Sequence, residues 1–154
     1  MHRLLLAICL LAPIAATAQE TREIGAVATA WTNLGLTRSH RVVVERFEDP
    51  EVAGVSCYIS QARTGGLSGM VGLAEDPARF ALVCTPTGEV RVAASARRGE
   101  RGEQVYESNT SLFFKETRVQ RFLDEERKVV VYLAWSTRMV DGSPFNAVAV
   151  VPYR

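Results

Sequence analysis

Twice in this chain Glu-Asp-Pro is followed by six residues and then a cysteine. Glu48-Asp49-Pro50 leads to Cys57 and Glu75-Asp76-Pro77 leads to Cys84, so the unit recurs at an offset of 27 residues (84 − 57). An Asp ahead of a Pro predicts a turn, because the carboxylate accepts from nearby backbone N–H groups and proline fixes φ. Each turn feeds a short apolar run, Val52, Val55, Tyr58 and Ile59 in the first copy and Phe80, Ala81, Leu82 and Val83 in the second. The reading is two strands stapled through Cys57 and Cys84. They display between them the glycine-dense stretch Thr64-Gly65-Gly66-Leu67-Ser68-Gly69-Met70-Val71-Gly72. Buried free thiols or a redox pair are the rival readings, although no C-x-x-C spacing is present to tune a thiol for exchange.

Residues 1–18 read as a secretory signal peptide. Arg3 precedes the apolar run Leu4 to Ala12, and Ala16-Thr17-Ala18 puts small residues at the positions signal peptidase selects, predicting cleavage before Gln19. The run is too short for a membrane span, and no later stretch is long and apolar enough, so the mature chain is expected to have none. That leaves 19–154, 136 residues (154 − 18), as a single domain long enough to bury a core. Cys9 leaves with the signal, and two cysteines in an oxidising compartment most simply form one bridge. Closing that loop is worth about 3.5 kcal/mol in the chain-entropy model. Without Arg3 the chain carries 17 basic and 17 acidic side chains (18 − 1 against 17). Its one basic cluster, Arg97 to Glu103, is interleaved with acids and glycines, so neither nucleic acid nor an anionic membrane is an expected partner.

The strand pattern runs through most of the mature chain. His40 to Phe47, Val52 to Ala62 and Arg79 to Pro86 read as strands, Glu23 to Ala28 as a strand with a helix as the alternative, and Thr32 to His40 as a connection. Thr87-Gly88-Glu89 is expected to turn the chain into a further strand, where Val90, Val92 and Ala94 share one face. Gln104 to Tyr106 reads as a minor strand or short helix, and Ser111 to Leu123 as a long strand bent near Lys115. Asp124 to Arg127 reads as a hairpin loop. In the return strand Lys128 to Thr137, Val129, Val131, Leu133 and Trp135 alternate with Val130, Tyr132 and Ala134. Such a strand, apolar on both faces, belongs in the middle of a sheet or under a second layer. Asp141 to Pro144 reads as a turn before a last strand, Ala147 to Val151. The fold expected is mostly β, a single antiparallel sandwich or small barrel with at most one short helix; the alternative is α+β.

Candidate chemistry is sparse. His40 is the one histidine left after processing, so a Ser-His-acid triad would have to use it with Ser56, Ser60, Ser68 or Ser143 and an acid such as Asp76 or Asp141. Gly66-Leu67-Ser68-Gly69 lacks the spacing of a nucleophile elbow. Side by side, Glu48, Asp49, Glu75 and Asp76 would offer carboxylates for acid–base work or a hard cation, but Asp before Pro already has a backbone role. A zinc site lacks ligands, and the glycine stretch lacks the Gly-Lys-Ser/Thr ending of a phosphate loop. No catalytic residue, metal or cofactor is therefore assigned. Four glycines in eight residues point to close backbone approach, and a loop so free of side chains is the best place for a binding surface. Its candidate contacts are Thr64, Gly65, Gly66, Ser68, Glu75 and Asp76.

In these segments the chain resembles the CreA family of bacterial periplasmic proteins. The residues that carry the resemblance are Glu23-Ile24-Gly25, Val42-Val43-Val44-Glu45 with Phe47 and Asp49-Pro50, Val55-Ser56-Cys57-Tyr58, Thr64-Gly65-Gly66, Gly72 to Asp76, Thr110-Ser111-Leu112, Arg121-Phe122 with Asp124, Tyr132-Leu133-Ala134, and Gly142-Ser143-Pro144 with Asn146-Ala147. They span nearly the whole mature chain in order. Trp135 stands where another aromatic is expected, a departure that affects packing alone. The resemblance implies a periplasmic location, and it implies no agreed activity and no catalytic residue. The function expected is thus a non-enzymatic accessory or binding module, its partner an unknown protein or small-molecule ligand. In that reading the glycine loop and acidic turns form its exposed face. The alternative is a small hydrolase using the acidic turns at Asp49 and Asp76.

Overall fold

The computed structural model describes residues 21–31, 38–64, 79–96, 98–109, 116–140 and 142–154. They form eight strands: β1 (Thr21–Trp31), β2 (Arg38–Phe47), β3 (Val52–Thr64), β4 (Phe80–Val92), β5 (Glu103–Asn109), β6 (Glu116–Asp124), β7 (Val129–Val140) and β8 (Ser143–Pro152). Two four-stranded sheets result, in the orders β1-β2-β3-β4 and β5-β6-β7-β8, with every neighbouring pair antiparallel. Each sheet is a meander, so connections alternate between two ends. One end carries the β2–β3, β4–β5 and β6–β7 links and the chain terminus; the other carries the rest. The described residues include no helix, as expected of an antiparallel sandwich.

Alternation places the core. In β7, Val130, Tyr132 and Ala134 are buried while Val131, Leu133 and Trp135 on the other face are half-buried, and β7 is an inner strand of its sheet, where its two-sided pattern puts it. Phe47, Val52, Val55, Cys57, Ile59, Phe80, Leu82 and Val90 from the first sheet meet Val105, Tyr106, Val119, Val130, Tyr132, Ala134 and Val151 from the second. Aromatic pairs tie the layers: Phe47 stacks on Tyr106 at 4.5 Å and Phe80 meets Phe145 edge-on at 5.1 Å.

Cys57 and Cys84 are bonded, and they are direct cross-strand partners of β3 and β4. The staple expected from the repeated motif is therefore present. The strands leave it in opposite directions: β3 runs back to Val52 at one end of the sandwich and on to Thr64 at the other, the end where β4 begins. The first turn is built as expected, with Asp49 Oδ1 accepting from the Glu51 N–H at 2.9 Å. The second, Glu75-Asp76-Pro77, lies outside the described residues.

Two local readings are corrected and one left open is decided. Thr87-Gly88-Glu89 does not separate two strands; β4 runs through it, but Ala53 opposes Arg91 while Val55 opposes Pro86, so the surplus β4 residues bulge out. Gln104 to Tyr106, left open between a minor strand and a short helix, is strand, part of β5. There three residues oppose two, Gln120 and Val119, so the neighbours Val105 and Tyr106 both reach the interior and the alternation is locally hidden. The last strand starts at Ser143, paired with Val140 across Gly142, rather than at Ala147. The expected bend near Lys115 lies outside the described residues.

Candidate functional site

Each end of the sandwich holds a buried polar cluster. At the β2–β3 end Arg121, fully buried on the inner face of β6, reaches Asp49, 72 residues away in sequence. Arg121 Nη1 donates to Asp49 Oδ1 at 2.5 Å, and Nη2 to Glu51 Oε2 at 2.5 Å and Glu103 Oε2 at 2.6 Å. Tyr132 Oη donates to Asp49 Oδ2 at 3.2 Å. Burial pushes the Asp49 carboxyl up, opposed by the Glu51 N–H, Arg121 and Tyr132. Burial also disfavours charge on Glu51, yet hydrogen bonds from Arg121 and Ser95 and the guanidinium's charge outweigh it and hold that carboxyl below its usual value. Burial alone would lower Arg121, but Asp49, Glu51 and Glu103 keep it above its ordinary value.

At the opposite end, Glu45 of β2, Gln61 and Arg63 of β3, and Tyr106 and Ser108 of β5 join the two sheets. Arg63 Nη2 donates to Glu45 Oε1 and Oε2 at 2.8 and 2.7 Å and lies 3.2 Å from Ser108 Oγ. Gln61 Nε2 donates to Glu45 Oε2 at 2.9 Å and to Ser108 Oγ at 3.1 Å, and Tyr106 Oη donates to the same Glu45 oxygen at 3.1 Å. Burial first, and then the charge of Glu45, pushes Tyr106 up to about 12. Cross-strand register aligns Ser108 with Thr117 and Thr117 with Ser136, all three buried. The inner surface here is thus rich in paired donors and acceptors where the middle of the sandwich is apolar. Such a lining suits recognition of polar groups and carries no activated nucleophile among the described residues.

Thr64 is the last residue of β3, next to Arg63 and opposite His40. Gly65, Gly66, Ser68, Glu75 and Asp76 lie outside the described residues, as do Asp141 and the potential nucleophile Ser68. Along a strand rising about 3.3 Å per residue, the backbone at Ser60 is roughly 13 Å and at Ser56 roughly 26 Å from the Thr64–His40 level. Asp49 departs most from expectation. Its side chain is buried and committed to Arg121, at the end of β3 opposite Thr64, so Asp49 itself offers no carboxylate to an exposed face. The same commitment removes Asp49 as an acid–base group for a hydrolase. Among the described residues no group of three His, Cys, Asp or Glu side chains is placed to hold a metal ion, and no helix is long and apolar enough to cross a membrane.

Sequence reasoning missed Arg121, Glu45, Gln61 and Arg63, yet a signal was available. Each occupies the inward phase of its strand: Arg121 follows Thr117 and Val119, Gln61 and Arg63 follow Cys57 and Ile59, and Glu45 lies between Val43 and Phe47. A charged or amide side chain in an otherwise apolar phase must find a buried partner.

Comparison with known proteins gives one consistent match. The family model described as CreA protein matches residues 24–154. The proteins named Protein CreA from Escherichia coli strains K12, O6:H1 and O157:H7 are each 41% identical to this chain over 148 residues, covering 96% of it and 90% of the relative. No solved structure matches the chain.

Proposed function

The chain belongs to the CreA family, and from that premise we propose that it is an exported periplasmic protein acting as a non-enzymatic binding module. Its ligand or partner is taken at the sandwich end where Thr64 passes into the glycine-dense stretch. One observation carries this reading: the Glu45–Arg63–Gln61–Tyr106–Ser108 network puts paired polar groups where a purely structural sandwich would bury apolar ones. The leader pattern of residues 1–18 supports export. An NMR-monitored screen of small polar metabolites against the mature chain, repeated with Gln61→Leu/Ser108→Ala, tests it. Ligand-induced shifts around Gln61 and Ser108 that vanish in the variant while it stays folded support the proposal. Shifts that survive the double substitution, or the absence of any ligand there, would count against it.

A further inference from the structure

The fold uses only half of the two-sided apolar pattern of β7. Its inward side chains build the core, whereas Val131, Leu133 and Trp135 on the other face are left half-buried. Beside them Val148 and Val150 of β8 are 60% and 52% exposed. Cross-strand register sets these groups in rows: Phe122, Val131 and Val150 form one, Gln120, Leu133 and Val148 the next, and Arg118, Trp135 and Asn146 the third. On the far side of the Phe122 row lie Asp124, Val129 and Pro152. In the other sheet β3 holds the same third place, yet its outward positions there are Ser56, Tyr58 and Ser60. The sandwich itself therefore does not require an apolar outer face at this place.

Charge stands only along the β6 margin of these rows. Arg118 lies over the Trp135 ring, 5.7 Å from its centroid, and 3.7 Å from Glu107. Further along β6, Asp124 accepts from the Arg127 N–H at 3.0 Å. A two-fold axis in the plane of contact, crossing the strands between the Gln120 and Phe122 rows, would lay an identical face on this one with the strands aligned, as stacked sheets pack. That operation sets Leu133 on Val131, Val148 on Val150 and Trp135 on Val129 of the second copy, and brings Arg118 over its Asp124. The face complements itself in both apolar surface and charge.

At about 3.3 Å per residue and about 4.8 Å per strand, four rows across three strands cover roughly 26 Å by 14 Å, a flat footprint of about 360 Å². Side-chain relief makes the accessible area larger, so two copies face to face bury on the order of 1,000 Å² in all, the lower bound for a specific interface. We propose that the outer face of β6, β7 and β8 is the contact of a two-fold homodimer, in which a second copy supplies the layer that the outward side of β7 lacks. This assembly does not rest on the ligand site proposed at the Thr64 end.

Sedimentation equilibrium of the mature chain between about 10 and 500 μM tests it, the range in which so small an interface should associate. A monomer–dimer equilibrium is expected, with the amide signals of Leu133, Val148 and Val150 moving on dilution while those of Tyr58 and Ser60 stay fixed. Val148→Glu/Val150→Glu should weaken the dimer at least about tenfold, because a two-fold interface buries each new carboxylate twice. Both positions are more than half exposed on an edge strand, where charge is well tolerated. The urea midpoint of that variant should therefore match the parent's at concentrations where the parent is monomeric. A parent chain that stays monomeric throughout the range would overturn the proposal and assign the face to a different protein. Dilution shifts confined to another face, or unchanged affinity in the folded glutamate variant, would overturn it as well.

Discussion

Arg121 is the residue on which the β2–β3 end depends. Replacing it with Met leaves Asp49 buried without a counter-charge, and removing one partner of such a pair costs about 3–5 kcal/mol. Urea unfolding of Arg121→Met should show a loss of that size, and adding Asp49→Asn should recover much of it. A loss below about 1 kcal/mol would contradict a buried charged centre. The two buried tyrosines give a pH signature. Tyr106 is pushed up to about 12 by burial and Glu45, and Tyr132 is raised further by burial and Asp49, from an ordinary 10.0. Above about pH 10 the unfolded chain therefore loses these protons while the folded chain keeps them, so stability falls as pH rises, by about 1.4 kcal/mol per pH unit for each tyrosine. Tyr132→Phe should flatten the decline between pH 10 and 12 by one such increment in denaturant titrations. An unchanged slope would place that hydroxyl in solvent. The inward phase of each strand marks these side chains as buried, but the order of residues does not say which partners they meet, because Arg121 and Asp49 lie 72 positions apart.

Most strands were legible at the scale of the element, for a reason the exceptions expose. Period-two alternation reports one wet and one buried face, and β2, β3, β6 and β7 show it with few interruptions. It fails where the register slips. At Gln104–Tyr106 and again at Pro86–Arg91 an insertion against the partner strand breaks the alternation. Glycine marks the second slip: Gly54→Ala would drive a methyl into the Glu89 carbonyl at positive φ and should destabilise by more than about 1 kcal/mol. A melt within about 1 °C of the parent would show that the bulge can move away. The paired motif was the most readable element, since a cysteine at the same place in two turn-and-strand units calls for a cross-strand partner. Cys57→Ala/Cys84→Ala should lower unfolding free energy by about 3.5 kcal/mol, seen as a reduced denaturant midpoint. Full stability in the double variant would mean that β3–β4 pairing alone already restricts the unfolded loop.

For the whole molecule, the proposed export predicts a processed N-terminus. Material recovered from the periplasm should begin at Gln19 by N-terminal sequencing, and a chain retaining residues 1–18 in the cytoplasm would refute export. The repeated Glu-Asp-Pro unit shows the boundary between sequence and tertiary structure most clearly. Local chemistry alone decided that Asp49 caps a turn, that Cys57 ends up bonded to Cys84 and that β7 lies inside a sheet, because each depends on neighbours within a few residues or on composition. Only the packed sheets decided that Asp49 belongs to a buried ion centre rather than an exposed face, and that Glu45, Arg63 and Ser108 meet. Turn and alternation preferences act over two to four residues, whereas antiparallel register and the facing of two sheets bring together groups dozens of positions apart, and those contacts set where charge is buried.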